Sequence, residues 1–155
     1  MPQKEKQCAS REKAPALSIT TKKENIMIKR NLITKEDYMG VHIAMWQWLA
    51  DNPRKAKGDW PGWATIDKMN SHCPACGWAL AQVGPSCSMG HRCTACPIKE
   101  YRNETGGHRA RTACCHPGTT YDKWWRASRH LDHPSRVQNR GQYAKEIRDM
   151  EWTEV

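Results

Sequence analysis

The clearest run of apolar residues at helical spacing lies between Lys35 and Asp51. Tyr38, Val41, His42, Met45 and Leu49 fall on one face there, flanked by Trp46 and Trp48. Thr34 stands where an N-cap is needed, Glu36 and Asp37 follow in the first turn, and Asn52-Pro53 stops the run. His42 on that apolar face reads first as a satisfied core histidine and second as a metal ligand. Thr65 is expected to cap a short helix reaching about Asn70. A further helix is expected to begin at Thr119 or Thr120, to carry Tyr121, Trp124, Trp125 and Leu131, and to break at His133-Pro134. The last helix is placed from about Ser135 to Trp152, with Tyr143, Ile147 and Met150 on one side and Gly141 weakening its early part. No alternating pattern persists long enough to predict a strand.

Between the first and later helices the pattern is set by cysteines. Cys73-Pro74-Ala75-Cys76-Gly77 and Cys93-Thr94-Ala95-Cys96-Pro97 are two C-x-x-C pairs whose separation fits the four-cysteine zinc template. Zinc takes four thiolates in a tetrahedron, so Cys73, Cys76, Cys93 and Cys96 are the expected ligands of a structural Zn2+. Cys87, Cys114 and Cys115 are the substitutes. Pro74 is expected to stiffen the first turn, and a left-handed Gly77 would let nearby amides point at the thiolates. The expected fold is therefore mainly α with long loops, a small zinc-stapled domain with a four-cysteine knuckle between helices.

Composition supports a stapled chain. Only 38% of residues are apolar, so the core is small and a metal would compensate. Eight Trp and no Phe put much of the apolar surface into indoles, which suit half-buried faces and ligand sites. Of the formal +9, residues 1–30 hold +5 (eight Lys/Arg less three Glu) with no aromatic residue, and are expected to form a disordered basic tail ahead of one domain at 31–155. Met27 is a possible internal start. No secretory signal or apolar span is visible, which points to a reducing cytoplasm, no membrane, and cysteines used as ligands or free thiols.

The chemistry favours binding over catalysis. Four paired cysteines close a zinc site, whereas catalytic zinc keeps a position open for water. An HNH nuclease needs its His pair, an Asn and a final His in compact order; here Leu131-Asp132-His133 follows the cysteines and no His comes after Asn139. Thr105, Gly106, Arg109 and Arg111 form a segment suited to phosphate oxygens, glycine admitting backbone amides and arginine making bidentate contacts. With Thr120, Tyr121 and Trp124 they are the expected lining of a pocket for a small anionic nucleotide. The competing expectations are that Tyr121 and Trp124 simply pack the zinc lobe, that DNA or RNA binds along an open basic surface, or that exposed Trp and Arg engage a host protein.

The order Cys73-x-x-Cys76, Cys93-x-x-Cys96-Pro97-Ile98, Thr105-Gly106, Cys114 or Cys115, then Thr119-Thr120-Tyr121 with Trp124 resembles a group of small tailed-phage zinc proteins. These carry C-x-x-C, C-x-x-C-P, a Thr-Gly pair, a lone Cys and Thr-Pro-Tyr-x-x-aromatic before a terminal helix. The likeness spans about Glu36 to Trp152. It departs at Thr120, where Pro is usual, at the doubled Cys114-Cys115, and in a longer basic insertion before them. The resemblance implies a phage accessory protein acting in the host cytoplasm. Counter-defence by sequestering a signalling nucleotide is a role of that class, although the resemblance itself supplies no activity.

Overall fold

Four α-helices build the described part of the chain. The computed structural model describes residues 32–65, 73–84, 93–102, 114 and 116–154. The basic tail, the helix expected after Thr65, Cys87, Cys115 and the Thr105–Arg111 segment lie outside those residues.

Helix α1 spans Lys35–Asp51 and starts as its sequence requires. The Asp37 amide donates to Thr34 Oγ1 at 3.1 Å and the Thr34 amide to Asp37 Oδ2 at 2.9 Å, a capping box that satisfies donors at both positions. At its other end Asn52 closes the helix, with both its backbone N–H and its side-chain amide donating to the Trp48 carbonyl. The buried stripe is Val41, His42, Met45, Trp46, Leu49 and Ala50, so Trp46 lies inside the apolar face rather than beside it. The chain then makes two 3-10 turns, Lys57–Asp59 and Pro61–Thr65. Trp60 and Trp63 are half-buried and pack against the core.

Helix α2, Pro74–Val83, replaces the expected knuckle turn. Cys73 is its N-cap, Pro74 opens it, and Gly77 is helical, its N–H donating to the Cys73 carbonyl at 3.0 Å. The left-handed glycine is instead Gly84, with φ 84° where the helix ends. Helix α3, Thr120–Ala127, is capped by Thr119, whose hydroxyl accepts from the Asp122 amide at 3.2 Å; a 3-10 turn, Ser128–His130, extends it. Helix α4, Pro134–Arg148, begins at the predicted break with His133 as N-cap.

Helix α4 stops short of Trp152. Past Arg148 the backbone turns away and Trp152 forms an isolated antiparallel bridge with Ile98. The Lys99 amide donates to Glu151 O at 3.2 Å and the Thr153 amide to Pro97 O at 2.8 Å. These bonds tie the C-terminal segment to the second cysteine pair. Hydrogen bonds to another segment thus override a side-chain pattern that would have continued the helix.

Helix α1 packs on α4 and α2, and α3 packs on α4. One core cluster holds Met45, Trp46, Leu49, Ala50, Trp124, Ala144 and Ile147. Gly141 lets α4 approach the end of α1, since a Cβ there would lie 3.2 Å from the Ala50 carbonyl oxygen. A second cluster holds Cys73, Ala75, Cys96, Ile98 and Tyr101, with Cys76 and Cys114 against it. Tyr121 and Met150 touch both clusters. No helix among the described residues is long and apolar enough to cross a membrane.

Candidate metal centre

The thiols of Cys73 and Cys76 are brought together by the first turn of α2. Cys76 and Cys114 pack against the cluster that holds Cys73, and the three thiols act on one another. Cys114 reaches the cluster from the segment just before α3, where its carbonyl accepts from the Thr119 hydroxyl at 2.6 Å. The cap residue of α3 therefore also fastens the backbone of a cysteine. Cys96 belongs to the same buried cluster, and its sulfur accepts from the Ile98 amide.

The electrostatics divide these thiols. Cys73 is held well below the ordinary thiol range, first by its hydrogen bond from Cys76, then by His42 and the charge of Lys57, against the opposing effect of burial. Cys76 is pushed well up by hydrogen bonding to Cys114 and Cys73 and by burial. Burial, with Cys73, Cys114 and Cys93 nearby, pushes Cys96 up to about 12 despite the Ile98 amide. Several thiols crowded into an apolar pocket cannot all ionise without a cation, and a metal ion is the usual solution.

No group of three or more His, Cys, Asp or Glu side chains stands ready-made around a metal position among the described residues. The donor set, all thiols with a helix start beside two of them, fits Zn2+.

Of the four cysteines expected from spacing, Cys73 and Cys96 lie in the buried cluster with Cys76 packed against it, while Cys93 is half-buried and acts on Cys96. Cys114 joins Cys76 directly. His42 is a core histidine, fully buried, with Nε2 donating to the Ile147 carbonyl at 2.9 Å; the same ring also stabilises the Cys73 thiolate.

The expected aromatic wall is largely committed to packing. Trp124 is 4% exposed, its ring edge-on to Trp46 at 5.0 Å between centroids. Tyr121 lies 6.1 Å from Trp46 and is half-buried, as is Thr120 at the start of α3. The Arg140 guanidinium lies 4.3 Å from the Trp124 ring centre and donates to the carbonyls of Pro53 at 2.5 Å and Lys55 at 2.9 Å. That arginine clamps the loop leaving α1 against α4.

The same loop delivers a residue that sequence reasoning missed. Lys57 reads as one charge in a solvated basic run, yet its ammonium points inward. It lies 4.3 Å from the Tyr121 ring centre, 5.3 Å from Trp46 and 5.6 Å from Trp124, and donates to Tyr121 Oη at 2.7 Å. Burial pushes it below the ordinary lysine range, while the thiols of Cys73, Cys76 and Cys114 pull it back up. Trp46 in the α1 stripe was the available signal, because an indole at the centre of a core face can hold a cation from a following loop.

No protein-family model, curated protein or solved structure matches this chain.

Proposed function

We propose that this is a non-enzymatic, zinc-stapled binding protein. Its Zn2+ is held by Cys73 and Cys76 from α2, Cys96 from the second pair, and Cys114 from the approach to α3. The packing of Cys73, Cys76 and Cys114 in one cluster, where each thiol acts on the others, carries this reading and makes Cys114 the proposed fourth ligand. Four thiolates leave no coordination position for an activated water, so the metal serves folding. Replacing Cys76 by Ser is expected to abolish zinc binding and unfold the second cluster. A stable fold with no zinc in the unmodified protein overturns the proposal.

The ligand of this scaffold is an anionic nucleotide, and the role that follows is capture of a signalling nucleotide in counter-defence. Its support is the composition of the Thr105–Arg111 segment, two glycines with a His and two Arg. Calorimetric titration with cyclic and ADP-ribose-type nucleotides tests it. Uptake with shallow salt dependence is expected, and Arg111→Ala is expected to weaken it by about 1.5–3 kcal/mol with zinc content intact. No uptake of any of them ends the capture reading.

One observation favours nucleic acid as a second reading. Trp125 is 45% exposed on α3 and the Arg129 guanidinium lies 4.2 Å from its ring centre, with Lys123, Arg126 and Arg136 exposed on the same stretch. An aromatic platform among cations stacks bases and contacts phosphates. Tight oligonucleotide binding that falls steeply with salt and is lost in Trp125→Ala would promote it. Binding to neither class of ligand would leave a protein partner.

A further inference from the structure

We infer that the outer face of α3 is a site for single-stranded nucleic acid, where an unpaired base stacks on Trp125 and the flanking phosphates bind Arg126 and Arg129. The inference rests on the nucleic-acid reading above and adds the form of the ligand and the residues that hold it.

A single exposed indole carries little information, because apolar atoms make up much of any protein surface. Two neighbouring guanidiniums change its meaning here. Helix α3 divides its adjacent tryptophans, sending Trp124 into the core at 4% exposure and Trp125 outward at 45%. The Arg129 guanidinium, from the 3-10 turn that extends the helix, lies 4.2 Å from the Trp125 ring centre. That stack holds a long side chain in place while its N–H groups make no hydrogen bond among the described residues.

Arg126 is fixed in a different way. Its Nε donates to both carboxylate oxygens of Asp122 at 2.9 Å, and the Gly118 amide donates to Asp122 Oδ2 at 2.9 Å. A nearly buried carboxylate, itself tied to the backbone, thus braces an arginine whose side chain is 59% exposed. Bracing through Nε leaves both terminal nitrogens of Arg126 without a partner among the described residues. A planar fork presented in that way suits a phosphate. Ordering both arginines beforehand lowers the entropy lost on binding.

The surrounding charge fits an anion. Residues 120–136 carry Lys123, Arg126, Arg129 and Arg136 against Asp122 and Asp132, and Asp122 is already paired. Arg54, from the loop after α1, donates to the Leu131 carbonyl and brings a further guanidinium to the end of the 3-10 turn. Stacking selects the form of the ligand. Bases inside a duplex are stacked on one another and offer no face to an indole, whereas an unpaired base does.

The test titrates the full chain with short single-stranded DNA and RNA oligonucleotides and with the matching duplex, at several salt concentrations. Unmodified protein is compared with Trp125→Ala, Trp125→Phe, Arg126→Gln and Arg126→Lys, each with a melting curve. Single strands are expected to bind more tightly than duplex and to quench indole fluorescence. Trp125→Ala is expected to weaken binding by about 5–150-fold, the range for one lost base stack. Arg126→Gln is expected to reduce the slope of log affinity against log salt by about 0.7, the value of one phosphate contact on a single strand. Arg126→Lys keeps the charge and loses the fork, so the slope is retained and affinity falls. If Trp125→Ala does not fold, Trp125→Phe decides, because it is expected to bind with less quenching than the unmodified protein; equal quenching rejects the stack. A preference for duplex overturns the inference, and so does a glutamate-rich peptide whose binding depends equally on Trp125, which would assign the face to a protein partner. Oligonucleotide binding that is the same in Trp125→Ala and Arg126→Gln fails this inference alone, since the basic residues elsewhere in the chain then carry the nucleic-acid reading. No oligonucleotide binding by the unmodified protein fails that reading itself.

Discussion

Arg140 offers a quantitative test of how the helical core holds the loop that carries Lys57. It is 3% exposed, donates to the Pro53 and Lys55 carbonyls at 2.5 and 2.9 Å, and lies 4.3 Å from the Trp124 ring centre. Arg140→Met keeps a stem of similar length and removes the guanidinium. A hydrogen bond from a charged group is worth about 1.5–3 kcal/mol, with the lower figure apt for the exposed Lys55 end, where water replaces the donor. Loss of the ring contact adds about 1 kcal/mol, and the better burial of a thioether returns part of the total. The net loss expected is about 3 kcal/mol. At roughly 2–4 °C per kcal/mol for a chain of this size, the melting temperature falls by about 6–12 °C. Zinc stoichiometry is unchanged, since no ligand is touched. Thermal unfolding followed by circular dichroism, with metal analysis of the same samples, is the assay. A fall of less than about 2 °C refutes the claim that this arginine clamps the loop.

Other outcomes follow from the same contacts. Gly40→Ala is expected to stabilise by about 0.5–1 kcal/mol, because a Cβ there meets nothing within 4 Å and alanine is the better helix former. Gly141→Ala in α4 is expected to lower stability despite that preference, since its Cβ would press on the Ala50 carbonyl; equal melting shifts of the same sign would refute the close-packing account. Thr119→Ala is expected to cost about 1 kcal/mol through the lost cap of α3 and to loosen zinc as well, because the same hydroxyl donates to the Cys114 carbonyl; chelator competition reads the second effect. The Gly118 amide and then Arg126 hold the Asp122 carboxyl below its ordinary range. Its contribution is therefore present above the unfolded-state value and is lost as pH falls through the lower folded value, and Asp122→Asn is expected to flatten that acid limb of the stability profile.

Helix α1 was legible to its caps because Thr34, Asp37 and Asn52-Pro53 act locally and the apolar stripe needs no knowledge of what covers it. The same holds for the starts of α3 at Thr119 and α4 at Pro134. Helix α2 was hidden by its own cysteines: a C-x-x-C with glycine after it invites a knuckle turn, yet Pro74 at the first position and an alanine-rich run suit a helix equally well. The end of α4 was misplaced because Met150 continues the helical spacing, while the competing partner, the Pro97–Lys99 backbone, is remote in sequence. The surroundings of Lys57 and Cys114 were hidden for a related reason. A lysine in a basic run and a cysteine outside a pair become informative only when α3 folds back and supplies Tyr121 and Thr119 as their neighbours.

The central claim is a zinc ion whose fourth thiolate comes from Cys114. Native mass spectrometry of the unmodified protein, Cys93→Ser and Cys114→Ser measures it directly. One zinc per chain in the first two and none retained in the third is the predicted result. Zinc kept by Cys114→Ser but lost from Cys93→Ser, or no zinc in the unmodified protein, would contradict it.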